Sequence, residues 1–271
     1  MVVIGDSHIH AIKEAIAARS SDDVHPSIEA MRLVKMKDAL QSSPARRTAV
    51  PIIGRVRNLL SGRSRQQTQF GDISLPQALK LARRLRPQDI LISVIGGNQH
   101  AVFSTIQHPQ RFDFMLPDET TAIAPKTELI PFQTLYPYFR SALREGDGKT
   151  IAAFRRATKA RMIHLLAPPP KRKNHWIEAY HDTLFVGGGL ERQGVSRPEF
   201  RMKFWRLQNR AIDEICADLD VEVLGIPAQA SDPEGFLDRH YYAGDATHAN
   251  RQYGELVLHQ LDALRAEQQA S

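Results

Sequence analysis

DILISVIGGN, residues 89–98, limits what this chain can fold into more than any other stretch. Its apolar residues run continuously instead of alternating, are mostly β-branched, and stop at two glycines and an asparagine. Such a run predicts a strand buried on both faces, which is the environment of a parallel sheet. Parallel neighbours need crossover connections, usually helices, so the rest of the chain must supply them. VVI (2–4), MRLVKM (31–36), TAVPII (48–53), RMIHLLAPPP (161–170) and VEVLGI (221–226) read as further strands. Helical spacing of apolar residues marks 9–20, 74–87, 149–160, 198–219 and roughly 250–266. In the second of these, Ser74 suits an N-cap, Pro76 the first turn and Pro87 the stop. Strands alternating with helices predict a three-layer α/β fold with a mainly parallel sheet. No linker divides residues 1–271, so one domain is expected. Segments 104–160 and 167–197 fit the alternation poorly. Both follow strand ends, where open α/β sheets place their ligand crevice, so they are read as pocket-forming insertions.

Several function classes drop out. No run of about 18 apolar residues offers a membrane span. No basic segment followed by an apolar one stands at the start, which predicts a chain without a signal peptide. Cys216 is the single cysteine and lies in the helix-like RAIDEICADL, which fits a core position and a reducing, cytoplasmic setting. The formal net charge of +6 is scattered along the chain and reads as a solvated basic surface. Neither zinc-finger spacing nor an RNA-binding signature is present, so nucleic acid is not an expected partner. Gly187-Gly188-Gly189 lacks the dinucleotide fingerprint, and no phosphate-binding Walker motif occurs.

The chemistry concentrates in the opening MVVIGDSHIH. Two readings compete there. Asp6, His8 and His10 alternate as metal ligands at a strand end would. Alternatively Ser7, at a strand-to-helix junction, is a nucleophile. The metal reading needs further ligands at later strand ends and finds weak ones. The serine reading finds partners. A serine hydroxyl needs a base, and the base needs a third group to orient it. Gly244-Asp245-Ala246-Thr247-His248 supplies both, because the three-residue offset lets Asp245 reach Nδ1 of His248 in a turn opening the last helix. An oxyanion would find donors in the Ser7 N–H, the Gly71 N–H and the Asn98 side chain.

These four blocks, in this order, resemble the SGNH hydrolases of the GDSL esterase/lipase superfamily: GDS at Ser7, a glycine before a helix at Gly71, Gly96-Gly97-Asn98 ending a strand, and Asp245 with His248 before the last helix. Two departures stand out: Gln99 replaces a frequent Asp, and Gln69 replaces a frequent Asn. The latter leaves Gly54 or Gly62 as substitutes for Gly71. The resemblance spans nearly the whole chain. It implies a flavodoxin-like α/β/α sandwich of about five strands, a Ser7–His248–Asp245 triad and an oxyanion hole of Ser7, Gly71 and Asn98. It implies neither metal nor organic cofactor. The substrate it implies is an acyl ester of a small molecule or carbohydrate, first an O-acetyl ester. An O-acyltransferase would use the same groups with an alcohol in place of water. A binding module that has lost turnover is the reading outside enzymes. Asp6, His8, His100, Phe132, Tyr136 and Tyr138 are the candidates for lining the substrate pocket. The sequence does not speak to oligomeric state.

Overall fold

The computed structural model describes residues 1–19, 28–34, 70–117, 119, 122–181 and 189–270. The expected strand 48–53, the end of 31–36 and the glycines 54, 62, 187 and 188 lie outside them. In chain order the elements are β1 (Val2–Gly5), α1 (Ile9–Ala18), β2 (Glu29–Val34), β3 (Phe70–Ser74), α2 (Leu75–Ala82), β4 (Ile90–Val94), α3 (Gln99–Ser104), β5 (Phe112–Asp113) and β6 (Glu128–Leu129). Then follow α4 (Phe132–Leu143), a π-helical turn (Arg144–Gly148), α5 (Lys149–Ala157), β7 (Arg161–Leu165), α6 (Asn174–Ala179), α7 (Leu190–Gln193), α8 (Pro198–Asp218), β8 (Glu222–Leu224) and α9 (Arg251–Ala270).

Six strands form one sheet in the order β3-β2-β1-β4-β7-β8, every pair parallel. β5 and β6 pair separately. The strand period of two splits the core into two layers. Val2, Ile4, Leu91 and Met162 join Leu81, Phe139, Phe154 and Phe204 on one face. Val3, Ile92, Ile163 and Leu165 join Ile12, Ile16, Val257 and Leu261 on the other. Helices α2, α4, α5 and α8 thus cover one face, and α1 with α9 the other. At the α1–α9 crossing, a Cβ on Gly254 would stand 2.0 Å from the Ala11 carbonyl oxygen, so only glycine lets the helices meet this closely. Cys216 is fully buried in the first layer.

Among the described residues the sheet has six strands instead of about five. The added strand is FGDIS, which the sequence marks only as the segment carrying Gly71 before a helix. It is an edge strand in which Gly71, Asp72 and Ser74 make up three of five residues, so it lacks the apolar run that announces a central strand. Without it the order is the flavodoxin order; with it the order is that of the wider doubly wound sheets. In either case the direction of strand progression reverses between β1 and β4. The ends of those two strands carry Ser7 and Asn98.

Candidate active site

The β1 and β4 ends are tied to each other before any catalytic group is considered. The Asp6 N–H donates to the Val94 carbonyl at 3.1 Å. The Asp6 carboxylate in turn accepts from the Gly96 N–H at 2.9 Å. Ser7 and His8 occupy the turn into α1, with His8 at its N-cap. Across the crevice, Gly96 and Gly97 hold left-handed φ values of +76° and +95°. Those angles strain any side chain. They swing Asn98 into the N-cap of α3. From there the Asn98 NH₂ donates to Ser7 Oγ at 3.1 Å. The Asn98 Oδ1 lies 2.9 Å from His8 Nε2.

The second half of the site is a bend closed by the Tyr242–Ala249 bridge. It precedes α9 by a few residues; it does not open the helix, as the spacing suggested. The Asp245 Oδ1 accepts the N–H groups of Thr247 (2.9 Å) and His248 (2.7 Å). The Asp245 Oδ2 accepts His248 Nδ1–H at 2.7 Å. Burial alone would push the Asp245 carboxyl up. The hydrogen bond and charge of His248, its backbone N–H and Lys171 outweigh burial and hold the carboxyl well below the usual carboxylate range. Lys171 is fully buried beneath the bend. It donates to the carbonyls of Ala243 (2.8 Å) and Asp245 (2.6 Å) and lies 3.5 Å from the Asp245 carboxylate. Burial pulls its ammonium down to about 8, against the pull of Asp245.

With Nδ1–H committed to Asp245, His248 Nε2 is left as a bare lone pair. That atom is buried and has no hydrogen-bond partner. Its ring lies 4.9 Å, centroid to centroid, from that of His8. No hydrogen bond joins it to Ser7 Oγ, whose partner is Asn98. Contacts therefore run Ser7–Asn98–His8–His248–Asp245. Beside Ser7 opens a cavity of about 330 Å³, lined by Asp6, Arg32, Gly96, Asn98, Val102 and Asp147 among others.

Other residues singled out from the sequence fall elsewhere. Gly71 is in register with Met31, which is itself in register with Ile4. It is thus two strands from β1, about 10 Å at ordinary strand spacing. His100 is buried with its N–H and ring toward Gln208 of α8, so it packs inward. Phe132 and Tyr136 stack on each other at 4.9 Å beneath the Arg210 guanidinium, and Tyr136 donates to Glu214 at 2.6 Å. They serve the α4–α8 packing. Tyr138 is 69% exposed. Asp6, His8 and His10 diverge: Asp6 binds Gly96, His8 turns inward to Asn98, and His10 is exposed on α1. Among the described residues no three His, Cys, Asp or Glu side chains gather as a cation site. Nor, among them, is any helix long and apolar enough to cross a membrane. Sequence reasoning missed the contact of His8 with Asn98 and the place of Lys171. The latter sits in a Lys-Arg-Lys run that reads as solvated surface.

No family model matches this chain, and no curated protein matches it. Among solved structures, one provisionally described as a platelet activating factor from Streptococcus pneumonia is 11% identical, with a TM-score of 0.41 over 95% of this chain and 92% of that one. Another, whose description names no protein, is 14% identical with a TM-score of 0.37. That match covers 71% of this chain and 65% of the other, so this chain spans just under two thirds of it. At these TM-scores neither likeness carries the argument. What the chain itself establishes is an α/β fold with a six-stranded parallel sheet whose reversal point gathers Ser7, Asn98, His248 and Asp245.

Proposed function

We propose that the chain is a serine esterase of the SGNH type. One observation carries the reading: His248 holds Nδ1–H on Asp245 and presents a buried, unpartnered Nε2 in the same cluster as Ser7. An imidazole so arranged is a base awaiting a proton, and Ser7 is the hydroxyl nucleophile in the contact chain. In this reading the Ser7 hydroxyl turns from Asn98 to His248 and loses its proton to Nε2. Its oxygen attacks the ester carbonyl carbon. The charge arriving on the carbonyl oxygen is met by the Ser7 N–H and by the Asn98 NH₂ that the hydroxyl has vacated. Collapse expels the alcohol, which takes the proton from His248. Water, deprotonated by the same nitrogen, then releases the acid. Gly71, two strands away, takes no part in these steps.

A cavity of about 330 Å³ beside the nucleophile suits a short acyl group, with an O-acetyl ester of a carbohydrate as the first substrate class. An alcohol acceptor in place of water would give an O-acyltransferase by the same steps. The test is a substrate panel with and without acceptor alcohols, beginning with p-nitrophenyl acetate. Wild type should give a p-nitrophenol burst, and Ser7→Ala should lose it while retaining its melting temperature. A fluorophosphonate should inactivate the protein and be found on Ser7 by peptide mass analysis. Inactivation with Ser7 unmodified would overturn the reading.

A further inference from the structure

His8 immediately follows the nucleophile, yet its side chain turns away from the cavity and is buried between Asn98 and His248. Its Nδ1 is buried without a partner. The protein has built space for this ring. A Cβ on Gly97 would come within 2.7 Å of the Ala167 Cβ and 3.0 Å of His8 Cδ2, so the loop before Asn98 closes directly over the imidazole.

An asparagine amide can sit either way round, and only one way gives Ser7 a donor. If the oxygen faces His8, the ring must bring a proton on Nε2, and its unpartnered Nδ1 is a bare lone pair. If the amide is reversed, Asn98 donates to Nε2 and the ring proton moves to Nδ1, where nothing accepts it. Nδ1 is without a partner in both arrangements, but only the first keeps the Asn98 NH₂ donating to Ser7 Oγ, as the structure has it. The first arrangement is therefore favoured. We propose that His8 is a positioning residue: as the Nε2–H tautomer it donates to Asn98 Oδ1 and so holds the Asn98 NH₂ toward Ser7 and the oxyanion position. Its surroundings keep it neutral. Burial first, then the charges of His248 and His100, pull it down to about 3, against the hydrogen bond to Asn98 and the charge of Asp245. A neutral neighbour also spares His248 a second positive charge when it takes the serine proton.

The catalytic consequence rests on the esterase reading; the tautomer does not, and the experiment keeps them apart. Long-range ¹H–¹⁵N spectra of the full chain should show His8 neutral with the proton on Nε2 from pH 5 to 8. A proton on Nδ1, or a charged ring in that range, overturns the proposal whatever the activity. Where wild type turns over p-nitrophenyl acetate and Ser7→Ala does not, His8→Ala should lower kcat about 10- to 100-fold with KM nearly unchanged. That is less than the loss of a donor itself. In the Asn98→Ala background the same change should cost less than about 3-fold, because the positioned group is gone. Fully additive losses overturn the proposal. His8→Gln, whose terminal NH₂ can stand where Nε2–H does, should recover most of the activity, and His8→Asn should not. Equal failure of both, with melting temperatures near wild type, also overturns it.

Discussion

Two carboxylates in this chain, Asp113 and Asp245, each accept two backbone N–H groups and sit against a buried lysine. Asp113 takes the N–H groups of Phe114 and Ala124, each at 2.9 Å, then Lys203 at 2.8 Å and Arg197 at 3.0 Å. Its side chain is wholly buried. Asp245 takes the N–H groups of Thr247 and His248, lies beside Lys171, and spends its last acceptor site on an imidazole. Burial pushes both carboxyls up, and their donors pull both below the ordinary range. The difference is where each network ends. At Asp113 it ends on cations with nothing further to give, fixing β5 to α8. At Asp245 it ends on a ring whose other nitrogen has an unused lone pair. A buried charge network thus becomes a candidate for chemistry when it terminates in unused valence beside a nucleophile; otherwise it holds the fold.

One substitution at both sites breaks or sharpens that contrast. Asp245→Asn keeps the shape but reverses the tautomer that His248 can hold. It should lower kcat about 10⁴-fold, with a fall in melting temperature smaller than at Asp113, because the buried Lys171 loses a carboxylate but keeps the carbonyls of Ala243 and Asp245. Asp113→Asn leaves Lys203 as an uncompensated buried charge. It should lower stability by about 3–5 kcal/mol, a drop in melting temperature on the order of 10 °C. Its kcat, measured below the transition, should stay near wild type. A scanning calorimeter and one esterase assay decide both. Exchange of the two phenotypes would mean that the site has been assigned to the wrong carboxylate.

Asn98→Ala comes next. It removes one donor that matters most when the carbonyl oxygen becomes charged, so kcat should fall about 10²–10³-fold with KM little changed. A wild-type kcat with a lowered melting temperature would reduce Asn98 to the cap of α3.

The acid side of stability treats active-site and distant histidines alike. Burial holds His8 at about 3 and His164, beside Ser93 in the sheet, at about 4. The unfolded chain takes up these protons near the ordinary histidine value of about 6.5. Between those limits the unfolded state binds more protons, so stability falls as pH falls from about 6.5 toward 4. His8→Gln and His164→Gln should each remove one such group. Each should flatten the denaturation-derived slope in that window by about 1.4 kcal/mol per pH unit. Activity should separate the two positions in their alanine variants: His8→Ala should lower kcat, and His164→Ala should not. An unchanged slope for either variant would mean that its ring is charged in the native state.

How legible all this is from sequence follows from how local each contact is. Asp245 and His248 are three residues apart, so their bond is made within one bend and their spacing announces it. Ser7 and Asn98 are legible because each ends an apolar strand at a position that any doubly wound sheet brings to its reversal point. The bond of His8 to Asn98 depends on the β1–β4 register and on the glycines that swing Asn98 inward, and nothing near His8 signals it. Lys171 looks like surface because charge runs usually are; here the chain after β7 folds beneath the Asp245 bend and takes one lysine inside. Phe132 and Tyr136 look like pocket-lining residues until Arg210 and Glu214 of α8 place them in the packing. The edge strand β3 carries too few apolar residues to announce itself beside the helix that follows.

The smallest predicted effect tests the opening stretch itself. A metal site built on Asp6, His8 and His10 would need all three side chains to converge, and loss of any one ligand would be severe. In the fold they diverge, because α1 begins at Ile9 and its first turn carries His10 to the exposed side while His8 stays under Gly97. An exposed histidine whose side chain makes no hydrogen bond to the described residues contributes little to packing or to chemistry. His10→Ala should therefore change kcat and KM by less than about 2-fold. Its melting temperature should move by less than about 2 °C. The same assay run with His8→Ala should show a kcat at least several-fold lower than that of His10→Ala. Equal and near-complete losses for the two variants, restored by added zinc or manganese, would reverse the assignment and return Asp6, His8 and His10 to a common ligand set.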